Sequence, residues 1–151
     1  MTKKGFTLIE LLVVLSIISL LASLVVNSMS DTRKKSRDVK RISDIRSLEN
    51  ALHLYQLQNN IFPSALSSLA PTFISAIPID PDGTSYRYAA LRLTTSAPCN
   101  GYHLGTRATG LETSSVVLST DADATSAGTL CSGSAANFAG TDPVYDKYVA
   151  P

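Results

Sequence analysis

Hydrophobic and polar positions change rhythm twice along this chain. From Phe6 to Val26 the residues FTLIELLVVLSIISLLASLVV are apolar almost without interruption, broken by Thr7, Glu10 and the small hydroxyls Ser16, Ser19 and Ser23. At roughly 1.5 Å of rise per residue the run predicts about 30 Å of helix, the thickness of a hydrocarbon core. From Val39 onward the apolar positions thin out to Ile42, Ile45, Leu48, Leu52 and Tyr55, at spacings of three and four, which predicts one buried stripe on an otherwise polar helix. No proline or glycine stands between Gly5 and Pro63, so a single helix is expected from Phe6 to about Asn59, transmembrane in its first half and amphipathic in its second. Opposite charges at helical spacing (Asp31 with Lys35, Lys34 with Asp38, Lys40 with Asp44) support it.

After Asn59 the pattern breaks. Pro63, Pro71, Pro78 and Pro81 divide the chain into short pieces, with one turn of helix expected near Ala65 to Leu69 and a turn at Pro81-Asp82-Gly83. Tyr86 to Leu93, Gly101 to Ala108 and Ser114 to Ser119 read as short strands from their β-branched and aromatic content. Residues 120 to 143 read as loop, and Asp142 to Tyr148 as an edge strand. An antiparallel sheet needs cover for its apolar face, and the Ile42 to Tyr55 stripe supplies it. The expected fold is therefore α+β: a long N-terminal helix, its second half packed on a small antiparallel sheet head. The expected divisions are a leader at 1–5, a membrane helix at 6–26, an amphipathic helix half at 27–59 and a head at 60–151.

Composition adds little as an average, since 44% hydrophobic, 17% charged and a net charge of +1 are ordinary values. Its distribution matters more, because seven of the 13 basic residues lie between Arg33 and Arg46. Interleaved Asp31, Asp38 and Asp44 and the lack of stacking aromatics argue against a nucleic-acid face, and a solvated helix face with ion pairs is the expectation. Counted by the positive-inside rule, these cations would put the second half of the helix in the cytoplasm, against Lys3 and Lys4. Cys99 and Cys131 suit one disulfide in an oxidising compartment, closing a loop of about 30 residues and worth about 3 to 4 kcal/mol in the chain-entropy model. Two unrelated buried thiols are the alternative. The carboxylate of Glu10 is harder to place, for a charge at mid-bilayer costs roughly 2.5 to 3.5 kcal/mol on insertion scales.

Lys3, Lys4 and Gly5 followed by Phe6 and TLIELLVV resemble the type IV pilin and pseudopilin family. The resemblance implies a short basic leader cut between Gly5 and Phe6 by a membrane-embedded aspartyl peptidase on the cytoplasmic side, with N-methylation of the new Phe6 terminus. It also implies a counter-charge for Glu10: the Phe6 amine of a neighbouring subunit, paired as the apolar helices polymerise. NNIFPSALSSLAPTFISAIPIDPDGTSYRY is similar to the matching stretch of the major pseudopilin of type II secretion. Ser19 stands where many members carry glycine and Asn27 where many carry proline, so an unmelted helix is expected.

The function this implies is that of a structural subunit and not an enzyme. Its expected partners are further copies in a helical filament, the prepilin peptidase and methylase, the assembly machinery and, before assembly, membrane lipid. It would sit in the inner membrane with its head outside the cytoplasm, then in a surface or periplasmic filament. A surface type IV pilus subunit is favoured on length and the C-terminal disulfide, with a secretion pseudopilin as the alternative and a single-pass anchored binding domain behind both. No cofactor is expected. Asp121 and Asp123 are calcium candidates, although an EF-hand fails because Ser126 and Ser132 stand where glycine and glutamate are needed, and a plain solvated loop is preferred. His53 and His103 have no metal-pair spacing, and His53 is expected to be half-buried on the helix.

Overall fold

A computed structural model describes residues 5–107, 109–113, 116–124 and 128–151, with the side chains of 24–28 left aside. The chain divides into two units, one through Ser36 and one from Arg37 to Pro151. Helix α1, Leu8–Asn59, runs through both and is unbroken at Ser19 and Asn27. It ends at Asn60, whose φ of 60° is the left-handed conformation that asparagine tolerates, and whose N–H still reaches the Gln56 carbonyl at 2.7 Å.

In the first unit the helix presents an apolar sleeve to its surroundings. Leu8 is 78% exposed, Ile9 74% and Leu20 66%. Ser16, Ser19 and Ser23 turn their hydroxyls back onto the helix, donating to the carbonyls of Val13, Leu15 and Leu20 at 2.7 to 2.8 Å. These hydroxyls therefore add little polarity to the sleeve. Among the described residues no helix is long and apolar enough to cross a membrane; the expected span from Phe6 to Val26 runs into 24–28, whose side chains lie outside the description.

In the second unit four strands, β1 (Arg87–Arg92), β2 (Gly101–Gly105), β3 (Thr129–Leu130) and β4 (Asp146–Val149), form one antiparallel sheet in the order β3-β1-β2-β4. Tyr88 of β1 stands opposite Leu104 of β2, and Ala90 opposite Tyr102. These four side chains share one face, and with Ile45, Leu48, Ala51 and Leu52 of α1 they make the core, closed by Phe62, Leu69 and Tyr145. Ile42 and Tyr55 flank it, so the three-and-four stripe is the buried one. The expected edge strand near the C-terminus is β4, and the helical turn near Ala65 is a 3-10 turn at Leu66–Leu69.

Two departures are informative. Val116–Thr120 is a 3-10 helix and not part of a strand; residues 114 and 115 lie outside the description. Valine content suggested a strand, but this segment delivers Leu118 into the core from a connection instead of pairing with the sheet. The second concerns the far face of the sheet, which the sequence left uncovered. Segments within 121–140 cover it, and Gly105 of β2 permits the close approach: a Cβ there would stand 2.7 Å from the Phe138 ring.

Candidate functional site

The N-terminal region carries the residues of greatest functional interest. Gly5, Phe6 and Thr7 precede the helix, and Phe6 is 90% exposed. Glu10 accepts from the Thr7 N–H at 2.9 Å and the Thr7 hydroxyl at 2.8 Å, while its own N–H donates to Thr7 Oγ1 at 3.3 Å. This is a capping box, written in the sequence as Thr7-Leu8-Ile9-Glu10. The carboxylate thus has a local partner in the single chain, one that the T-x-x-E spacing of the sequence encodes. The helix start, with its unpaired N–H groups and positive dipole end, also favours an anion there.

A second constellation lies in the second unit. Arg41, fully buried, makes two hydrogen bonds to Asp80 (2.7 and 3.0 Å), one to Asp38 (2.8 Å) and one to Glu112 (2.9 Å). Asp38 in turn accepts the N–H groups of Glu112 and Thr113 and the Thr113 hydroxyl at 2.7 Å. Arg37 closes the set through a bidentate pair with Glu112. The carboxylate of Asp80 is aimed by its own turn: Gly83, at φ +86°, donates to the Asp80 carbonyl, and Asp82 N–H donates to Asp80 Oδ1. Hydrogen bonds from Arg37, against the cost of burial and helped by Arg41, lower the Glu112 pKa to about 2. Burial raises the Asp38 pKa, but the donors from Glu112, Thr113 and Arg41 outweigh it and the net shift is downward.

This corrects the expectation of a wholly solvated basic face. Lys40 with Asp44 (2.8 Å) and Lys34 with Asp31 (3.8 Å) are surface pairs of that kind, whereas Asp38 and Arg41 are core. The i, i+3 pairing of Asp38 with Arg41 replaces the expected Lys34 to Asp38 pair. Charge periodicity alone could not have found the cluster, because its other members, Asp80 and Glu112, come from distant segments.

The carboxylates of Asp121 and Asp123 meet that of Asp142, with one ligand atom from each within 4.8 Å of the others. Ca–O distances of about 2.3 to 2.6 Å put two ligands of one ion at most about 5.2 Å apart, a pairwise limit that these three oxygens meet. Among the described residues Asp121 Oδ1 is buried without a hydrogen-bond partner, and burial, with the charges of Asp146 and Asp123, raises the Asp121 pKa to about 6 despite an N–H from Asp146. Asp142 was missed in the sequence, where 21 residues separate it from Asp121.

Cys99 and Cys131 form a disulfide with Cα atoms 6.0 Å apart. His103 is buried on the far face of the sheet, bonded to Asp146 at 2.7 Å and Asn137 at 2.8 Å and stacked on Phe138. His53 is exposed, contrary to the half-buried position expected, with its ring edge toward Phe62 and Tyr102. A long exposed apolar helix start joined to an α+β head is the arrangement of a pilin-like structural subunit, and the chain is not an enzyme.

Comparison with known proteins agrees. Residues 1–26 match the family model described as the prokaryotic N-terminal methylation motif. The chain is 41% identical over 101 residues to the type II secretion system core protein G of Escherichia coli strain K12, covering 56% of this chain and 70% of that protein. It is 38% identical to the protein of the same name from Pectobacterium carotovorum, over 56% of this chain and 65% of that protein. With the Pseudomonas aeruginosa protein of that name it is 33% identical over 68% of this chain and 83% of the relative. The chain belongs to the type II secretion system core protein G family, within the wider pilin and pseudopilin class.

Proposed function

We propose that this chain is the pseudopilin subunit of a type II secretion system, held in the inner membrane as a precursor, cut between Gly5 and Phe6, N-methylated on Phe6 and polymerised through its apolar helix. The observation that carries the reading is the extent of the likeness. It spans 56% to 68% of the chain, well beyond the 26 residues of the processing motif that surface pilins share. The preference for a surface pilus, which rested on length and the disulfide, gives way to the secretion alternative.

In the isolated subunit Glu10 is bound to Thr7, and the exposed sleeve of Leu8 to Leu21 has no protein partner among the described residues. Assembly covers the sleeve with neighbouring helices and exchanges the weak local cap for the Phe6 amine of the next subunit. The charge pairing sets the axial register, since an unpaired carboxylate in that layer is costly. The head, outside the cytoplasm, holds its disulfide, and Asp121, Asp123 and Asp142 hold a calcium ion that would neutralise three crowded carboxylates.

Mass spectrometry of the mature protein tests the processing step, with N-methyl-phenylalanine from Phe6 as the expected terminus. Finding Lys3 and Lys4 retained would remove the filament reading. Deleting the gene and following secreted enzymes in the medium tests the role: secretion should stop while surface pili persist, and the converse result would restore the pilus reading.

A further inference from the structure

The structure sorts the basic residues of the helix by what they are bound to. Arg37 and Arg41 are consumed by Glu112, Asp80 and Asp38, and Lys40 by Asp44. Lys34 has only a long, exposed contact to Asp31 at 3.8 Å. Arg33 and Lys35 are exposed and make no ion pair among the described residues. Thus Arg37, Lys40 and Arg41 are committed to carboxylates, whereas the cations nearest the apolar run, Arg33, Lys34 and Lys35, are not; Arg46, farther along, is exposed as well.

Their placement points to one kind of partner. At about 100° per residue, Arg33, Lys34 and Lys35 are spread around the helix and do not form a stripe. A protein docking on one side would meet only part of such a girdle. A lipid surface surrounds the helix and meets all of it. Arg33 lies seven residues past Val26, about 10 Å along the axis, and the headgroup layer extends roughly 5 to 7 Å beyond the hydrocarbon on each side. Long cationic side chains bend back over that distance, as they do at membrane interfaces generally. The segment 31–35 carries one acid and three bases, so its net charge is positive.

We propose that Arg33, Lys34 and Lys35 form a collar that binds the phosphates of anionic phospholipids in the leaflet facing the head. This rests on the membrane-span reading of the apolar run, and it adds a second hold on the subunit. The hydrophobic sleeve fixes it in the bilayer, and the collar fixes its depth. Extracting the subunit into a filament breaks those contacts, so the collar restrains the subunit until assembly supplies other partners. It also explains how a basic stretch on the head side is tolerated against the positive-inside rule, because the charges are used at the surface they reach.

The test uses the full chain in nanodiscs of equal phosphatidylglycerol and phosphatidylcholine, with retained lipid counted by native mass spectrometry. A surface cation is worth about fivefold in binding anionic lipid, so the parent should retain phosphatidylglycerol over phosphatidylcholine by about 25-fold or more at low salt. R33Q/K35Q should cut the preference by about 25-fold, leaving only what Lys34 supplies, inorganic phosphate should not compete, and the preference should shrink with salt. R46Q, which removes an exposed cation eleven residues beyond Lys35, should leave it unchanged. Equal retention by the parent, an unchanged preference in R33Q/K35Q, or an equal loss in R46Q would overturn the collar. Alkaline carbonate extraction separates the two readings: a parent released from membranes refutes the span and the collar together, and one retained without lipid preference refutes the collar alone.

Discussion

Replacing Arg41 by methionine keeps most of the side-chain volume and removes four hydrogen bonds at once, two of them to Asp80, which has no solvent to turn to. Asp38 keeps its bonds to Glu112 N–H and Thr113, and Glu112 keeps Arg37, whereas Asp80 keeps only the Asp82 N–H and loses its counter-charge. Breaking a buried pair by removing one partner costs about 3 to 5 kcal/mol. For a unit of about 115 residues, unfolding entropy of roughly 2.1 cal/mol/K per residue translates each kcal/mol into about 4 °C, so the midpoint should fall by about 12 to 20 °C. All six tyrosines belong to the unit from Arg37 to Pro151, so near-ultraviolet circular dichroism of the full chain in detergent follows that unit without interference from the apolar helix start. Adding Asp80→Asn to Arg41→Met should recover part of the loss by removing the stranded charge. A single variant melting within about 4 °C of the parent, or a double variant melting no higher than the single, would refute the assignment of the cost to an uncompensated buried carboxylate.

Thr7→Val keeps the shape and deletes the hydroxyl of the capping box, so amide exchange at Glu10 should quicken about fivefold, in line with a cap worth about 1 kcal/mol; unchanged exchange would count against the cap. Between pH 4.5 and 2 the head should lose stability as Glu112 and Asp38 gain protons, because both have folded pKa values below their unfolded ones, so their contribution is present above the unfolded value and disappears on acidification. Asp121 has the opposite sign: its raised folded pKa makes stability decline as pH climbs from about 4 to 6, and D121N or millimolar calcium should abolish that decline in thermal melts. Calcium that leaves the melt of the parent unmoved at pH 7 would show that the three carboxylates do not hold the ion. Reducing Cys99–Cys131 should cost about 3 kcal/mol, read as a lower denaturant midpoint, and an unchanged midpoint would place the stability of the head elsewhere.

What could be read in advance follows the reach of the signals. Periodicity is local, so the helix and its buried stripe from Ile42 to Tyr55 were legible, as were β1 and β2, whose residues pair with sequence neighbours across one connection. Val116 to Ser119 misled because valine content does not distinguish a strand from a turn that drops one leucine into a core. The Arg41 cluster was hidden because Asp38, Asp80 and Glu112 are brought together only by the tertiary fold, and an arginine between charged neighbours on a helix looks solvated until its distant partners are known. Asp142 joined Asp121 and Asp123 for the same reason. The capping box is different, since Thr7 and Glu10 are three residues apart and their pairing is a local signal that the sequence carries in full.

The cap has a bearing on maturation as well. Because Thr7 and Glu10 begin the helix at Leu8, the Gly5 to Phe6 bond lies in backbone outside it. Proteases attack where the chain is accessible and unwound, so a helix that propagated backward through Phe6 would hinder the cut proposed at this bond. One threonine and one glutamate thus leave the proposed cleavage point in open chain, two residues ahead of the rod.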